Sequence, residues 1–289
     1  MMEIGLIGLG RMGAAMAERL RRGGHKVLGF DMDPTVSEVP SLPDLVQALR
    51  EPRVVWLMVP AGEPTQSVID QLTPMMSEGD TIVDGGNSYY KDSLHRATEL
   101  KAKSIAFLDA GTSGGIWGLT TGFCLMVGGD ESAFHAVEPA LRALAPEGGY
   151  AYAGASGAGH FAKMVHNGIE YGLLEAYAEG FHLLQASPYE FDLARIASLW
   201  NSGSVIRSWL LELAGRGLSK DPKLEKLRGY VDDSGEGRWT VLEAVSLGVP
   251  APAIAASLFS RFGSRDENSF AMRLIAALRN EFGGHPVHE

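Results

Sequence analysis

The run Lys163-Met-Val-His166-Asn167-Gly-Ile-Glu170 places an amine, an imidazole, an amide and a carboxylate at i, i+3, i+4 and i+7. On a helix these four share one face, in a pattern that ordinarily belongs to apolar residues facing a core. Gly168 and Gly172 interrupt the same stretch. Each costs about 1 kcal/mol relative to alanine in a helix, which is tolerated where a ligand or another backbone comes close. An amine and a carboxylate on one face suit proton transfer to and from a small organic acid. A lysine with its reference pKa near 10.4 is neutral in only about one molecule in a thousand at neutral pH. Use of Lys163 as a base therefore predicts a lowered pKa, from desolvation and a nearby cation.

Oxidation of a secondary alcohol needs such a base while hydride leaves for a nicotinamide, and the opening of the chain supplies a place for one. Ile7-Gly8-Leu-Gly10-Arg11-Met12-Gly13 is a G-x-G-x-x-G between a predicted strand and a predicted helix. Its glycines permit a tight turn and let backbone amides reach a pyrophosphate at the helix N-terminus. Asp31 ends the next strand, about 20 residues on, where a carboxylate binds the adenosine ribose and repels a 2′-phosphate. This favours NAD over NADP, although Arg11 and Lys26 offer charge to a phosphate. Two further loops, Asp84-Gly-Gly-Asn87-Ser88 and Asp109-Ala-Gly-Thr-Ser113-Gly114-Gly115, are predicted to follow strands. Their Asn and Ser side chains can orient carboxylates and hydroxyls, and the same residue types also make plain turns.

The elements that must position these groups divide the chain in two. Predicted strands at 3–7, 26–30, 54–59, 81–84, 105–109 and 123–127 alternate with helices near 12–22, 64–72, 92–100 and 131–144. That alternation predicts a parallel, doubly wound α/β sheet of Rossmann type over residues 1–153. Beyond Gly154 the strand pattern stops. A helix from 157 to 185 and further helices to 280 predict an all-helical domain over 154–289, with Trp200, Trp209 and Trp239 packing it.

The 289 residues suffice for two such domains; 45% hydrophobic and 21% charged residues are those of a soluble globular protein. A net charge of −10 with no basic run argues against a nucleic-acid partner, and no apolar stretch reaches the roughly 20 residues of a membrane span. The single cysteine, Cys124, lies in an apolar run that predicts a buried small hydrophobe in a reducing, cytoplasmic setting. The chain enters its first strand without a signal-peptide pattern. His25, His95, His135, His160, His166, His182, His285 and His288 show no metal-ligand spacing, and no metal is expected.

The glycine loop, Gly-Gly-Asn87-Ser, Ser113-Gly-Gly and above all the Gly157–Gly172 segment resemble the decarboxylating 6-phosphogluconate dehydrogenases, in their short bacterial-type branch. The resemblance runs to the tail, Arg279-Asn-Glu-Phe-Gly-Gly-His285. It implies NAD-linked oxidative decarboxylation of 6-phosphogluconate to ribulose 5-phosphate, in the pentose phosphate pathway of gluconate metabolism. Lys163 would be the base and later acid, and Glu170 the second acid. Asn87, Ser113, Gly114, Gly115, His166 and Asn167 would contact substrate, with Asn87 also touching the cofactor. Tyr171, Arg261 and Arg279 resemble positions that hold the sugar phosphate. Arg279 and His285 resemble a tail entering a neighbouring subunit's site, implying a homodimer or homotetramer. Ser234 stands where longer members carry a phosphate-contacting lysine, with Arg238 nearby. Ile116 and Trp117 replace charged residues after Ser113-Gly-Gly. The wider superfamily suggests an alternative, a β-hydroxyacid dehydrogenase that oxidises a small non-phosphorylated acid without decarboxylation.

Overall fold

A computed structural model describes residues 1–283 and divides the chain into two compact units, Met1–His166 and the part from Asn167 onward. In the first unit the order is β1 (Glu3–Ile7), α1 (Arg11–Arg22), β2 (Lys26–Phe30), α2 (Leu42–Ala48), β3 (Val54–Leu57), α3 (Glu63–Leu72), β4 (Thr81–Asp84) and α4 (Tyr90–Lys101). There follow β5 (Ala106–Ser113), the single turn α5 (Gly118–Thr121), β6 (Cys124–Gly129), α6 (Glu131–Leu144) and β7 (Tyr150–Gly154). Helix α7 (Ala158–Ala186) then runs through the division between the units.

The seven strands form one sheet in the order β2-β1-β3-β4-β5-β6-β7. Strand side chains alternate between its faces. Ile4, Leu6, Trp56, Val83 and Leu108 pack with α1 and α6 in one core layer. Ile7, Val55, Leu57, Ile82 and Phe107 pack with α2, α3 and α4 in the other. The doubly wound reading holds, with one correction: β6 pairs antiparallel with β5. Residues 114–123 join these strands, and a parallel return needs a crossover of about a dozen residues or more. β7 and α2 are additions that the alternation did not predict.

Cys124 is exposed at the start of β6, not buried, because the strand turns it outward between buried Phe123 and Leu125. The second unit is helical: the continuation of α7, then α8 (Leu193–Asn201), α9 (Trp209–Lys220), α10 (Glu236–Leu247), α11 (Pro252–Gly263) and α12 (Phe270–Gly283). Trp200 packs on Phe181 at 5.7 Å between ring centres. Trp209, expected to pack this unit, is 45% exposed. It opens α9, where the Ser208 cap fixes the helix start and the indole faces outward.

Candidate active site

The glycine loop has the geometry its spacing predicts. Gly8 adopts φ +94, and a Cβ there would stand 2.5 Å from the Met58 carbonyl oxygen. At Gly13 a Cβ would meet the Gly8 oxygen at 1.9 Å, so β1 and α1 approach as only glycine allows. Gly10 is exposed and has no atom near where a side chain would point. It caps α1 without a side-chain hydrogen bond, and the first turn holds no acidic residue. Exposed Arg11, half-buried Met12 and buried Gly13 make up that turn. A glycine cradle beneath a 12-residue helix without a side-chain cap fits a dinucleotide pyrophosphate.

Asp31 is tied back to this loop. Its Oδ2 accepts from the Leu9 amide at 2.6 Å and its Oδ1 from the Asp33 amide at 2.9 Å. The Asp31 amide in turn donates to Ser37 Oγ at 3.1 Å. The carboxylate is thereby fixed at the C-terminal end of β2, beside the cradle. Lys26 does not serve there. It begins β2, at the opposite end of the strand, and pairs with Glu3 at 3.0 Å.

The loop after β4 is organised by Asp84, the first residue of its motif, together with Arg96, which lies outside every motif read from the sequence. Asp84 is fully buried and its Oδ2 accepts from Ser88 Oγ at 2.7 Å and from Arg96 Nη1 at 3.1 Å. Its Oδ1 accepts from the Gly86 amide at 3.1 Å. Arg96, 2% exposed on α4, also donates to the Gly62 carbonyl and to Gln66 Oε1. One buried guanidinium therefore braces the loops after β3 and β4, and Asn87 alone projects outward from the second. A charge in the middle of an otherwise amphipathic helix, such as Arg96, is the available sequence signal for such a brace.

The expected loop from Asp109 to Gly115 is strand as far as Ser113, since β5 continues through it while pairing with β6. Gly114 and Gly115 both take positive φ and turn the chain out of the sheet. Ile116 and Trp117 follow as exposed residues. Ser113 Oγ lies 3.3 Å from His166 Nε2, which joins this turn to α7. Lys163 is 8% exposed, and Gly111 of β5 would place a Cβ only 2.5 Å from the lysine Cβ. The head of α7 is thus laid on bare sheet backbone.

Along α7, Lys163, His166, Asn167 and Glu170 hold the predicted common face; Asn167 is 9% exposed and Glu170 half-buried. The two glycines behave differently. A Cβ on Gly168 would lie 2.6 Å from Thr240 Cγ2 of α10, whereas one on Gly172 meets open space. In the second unit the Arg261 guanidinium stacks on the Tyr171 ring at 3.4 Å and donates to the Asp232 carbonyl. Tyr171 Oη accepts from the Ser234 amide, and Ser234 Oγ donates to buried Glu236 at 2.6 Å. Arg238 is engaged by Asp233 at 2.5 Å. Arg279 is exposed on α12. His285 lies outside the described residues.

Residues 3–154 match the NAD binding domain of 6-phosphogluconate dehydrogenase, and residues 159–277 match the 6-phosphogluconate dehydrogenase C-terminal domain. The chain belongs to the 6-phosphogluconate dehydrogenase family. Among its relatives in that family, the Bacillus subtilis (strain 168) protein YqeC is 45% identical, with 100% of both chains covered. The NAD(+)-dependent, decarboxylating 6-phosphogluconate dehydrogenase of Haloferax volcanii is 44% identical over 99% of this chain and 98% of its own. The solved 6-phosphogluconate dehydrogenase of Plasmodium falciparum, described with its cofactor NADP+ and with its substrate 6-phosphogluconate, superposes with a TM-score of 0.85 at 28% identity. That likeness covers 99% of this chain and 66% of the Plasmodium chain. In length the chain therefore follows the short members of the 6-phosphogluconate dehydrogenases.

Proposed function

We propose that this protein is an NAD-linked 6-phosphogluconate dehydrogenase, which oxidises and decarboxylates 6-phosphogluconate to ribulose 5-phosphate and CO2. The observation that carries the reading is Lys163, a buried residue on the same helical face as Glu170. It stands in a chain 44% identical, end to end, to an enzyme of that name. NAD, held on the Gly8–Gly13 cradle with Asp31 at the ribose, supplies the hydride acceptor. Lys163 takes the proton of the C3 hydroxyl as hydride leaves. The β-keto acid so formed loses CO2, and the ammonium of Lys163 returns the proton to the carbonyl oxygen. Glu170, two turns or about 10 Å along the helix axis, supplies the proton on carbon while neutral Lys163 takes back the enediol hydroxyl proton, which completes the ketopentose.

The remaining assignments follow the resemblance. Asn87, Ser113, Gly114, Gly115, His166 and Asn167 are assigned to the carboxylate and hydroxyls. Tyr171, Arg261 and Arg279 hold the distal phosphate. Arg261 suits this role because it stacks on the ring of Tyr171, another residue of this group, and a guanidinium pairs well with phosphate oxygens. Arg238, near Ser234 where longer members carry a lysine, is committed to Asp233, and Arg261 bears more of that task.

We also assign the second unit to contact between copies, as a homodimer or homotetramer. Every described side chain of α12 is exposed, with Phe270 at 70% and Met272 at 60%. Leu242, Val245 and Leu247 of α10 are exposed as well. So much apolar surface is unusual on a monomer. Among the described residues no helix is long and apolar enough to cross a membrane.

The deciding assay mixes pure protein, NAD and 6-phosphogluconate and follows NADH and CO2 together. Equal yields are expected. NADH without CO2 would make the protein a non-decarboxylating acid dehydrogenase, and silence of both would remove the activity altogether.

A further inference from the structure

Lys163 takes its position from the first turn of α7, and that turn is gripped by groups from elsewhere in the chain. A helix N-terminus leaves amides without partners, usually satisfied by a local Ser, Thr, Asn or Asp. Here the residue preceding α7 is Gly157, at φ +89, with no side chain to offer. The cap comes instead from the sheet. Asp109 of β5 is fully buried; its Oδ1 accepts from the Gly157 amide at 2.7 Å and its Oδ2 from the His160 amide at 2.9 Å. A carboxylate at a helix N-terminus also complements the helix dipole. The His160 ring adds a second tether, with Nδ1 at 2.7 Å from Ser93 Oγ of α4, both residues buried. No side chain cushions the contact. A Cβ at Gly159 would lie 2.1 Å from the Asp109 carbonyl oxygen and 2.5 Å from that of Met126. The turn can neither slide nor rotate while both oxygens of Asp109 hold it.

We propose that Asp109 is a positioning residue for Lys163: its carboxylate, acting as a cap borrowed from β5, sets the axial and rotational place of α7 and hence of the amine one turn further on. This rests on the reading of Lys163 as the acid–base group. Burial pushes the Asp109 carboxyl upward, opposed by the neighbouring His160 and by the two amide bonds. A buried carboxylate is kept here against its desolvation because both of its oxygens are needed. Asparagine cannot replace it in full. Its one oxygen can accept from one amide, and its NH2 then faces the other N–H.

The test compares the parent enzyme with Asp109→Asn, Ser93→Ala and Lys163→Ala. NADH titration counts the molecules whose cofactor cradle, built from other elements, is intact. Turnover is then expressed per NADH-binding site. For Asp109→Asn we expect KM for NAD and Kd for NADH within about twofold of the parent. Its kcat per site should be lower by about tenfold or more, since misplacement by about 1 Å can cost a hundredfold. Ser93→Ala, which loses the second tether alone and is the milder change, should show the same split at about three- to tenfold. A merely structural Asp109 would reduce the number of binding sites and leave kcat per site unchanged, and that result overturns the proposal. Should Asp109→Asn give no soluble protein, an unchanged kcat per site in Ser93→Ala overturns it equally. Turnover retained by Lys163→Ala would sink the underlying assignment, whatever Asp109→Asn does.

Discussion

Asp84 and Asp109 are register partners on the adjacent parallel strands β4 and β5, and both carboxylates are fully buried. Side by side, they hold different segments of the chain. Asp84 faces Arg96 and gathers the Gly86–Ser88 turn that presents Asn87. Asp109 faces the head of α7 and holds the turn that carries Lys163. Asp84 is among the influences pushing the Asp109 carboxyl upward, after burial itself. Two buried carboxylates in neighbouring strands persist only because each is fully engaged.

Removing one partner of the Asp84–Arg96 pair should therefore be severe. Arg96→Met is expected to cost about 3–5 kcal/mol in denaturant unfolding, because it leaves a buried carboxylate without its cation. The double variant Asp84→Asn/Arg96→Met should recover part of that loss. A single-variant cost below about 1 kcal/mol would mean that solvent already reaches the pair.

The two acid–base groups should separate kinetically. Lys163→Ala is expected to abolish NADH and CO2 together, since no base remains for the hydroxyl. Glu170→Ala should still yield a first-turnover burst of NADH and then a slow steady state, because its step follows hydride transfer. Stopped-flow absorbance distinguishes them; an unchanged steady-state rate for Glu170→Ala would refute its role.

Gly168 and Gly172 look alike in the sequence and should respond oppositely to alanine. Gly168→Ala drives a methyl into Thr240 and should destabilise by about 1–3 kcal/mol. Gly172→Ala meets open space within the chain and should stabilise by up to about 1 kcal/mol through helix propensity. Equal destabilisation at both positions, measured by thermal melts, would show that a second chain packs against Gly172.

His25 gives stability a pH dependence of known sign. Burial holds its pKa below the ordinary 6.5, with the amino-terminal charge acting in the same direction. Between the folded value and 6.5 the unfolded chain binds more protons than the folded one. Stability therefore rises with pH across that window and is lost as pH falls through it. Replacing the ring by His25→Gln should flatten the slope of Tm against pH over this interval. A slope identical to the parent's would assign the effect to other groups.

Much of this was legible in the residues alone. Gly8, Gly10 and Gly13 between a β-branched run and a helix pattern announce their own geometry, because a tight strand–helix turn depends on local backbone freedom. The shared face of Lys163, His166, Asn167 and Glu170 follows from helical period, also a local property. Where the local argument was incomplete, it failed for identifiable reasons. The Asp109–Ser113 segment, rich in turn formers, became strand because β6 returns antiparallel and pairs with it. Cys124, in an apolar run, faces outward because the pleat of β6 turns it so.

Most of the order of elements, the glycine turn after β1 and the common face of Lys163, His166, Asn167 and Glu170 were determined by the sequence itself, since each depends on spacing along one segment. Only the tertiary structure decided what holds that face in place. Asp109 meets Gly157 and His160 across 48 and 51 residues of chain, and Arg96 meets Gly62 across 34. Such pairings depend on which strands become neighbours in the sheet, and no local period or propensity encodes them.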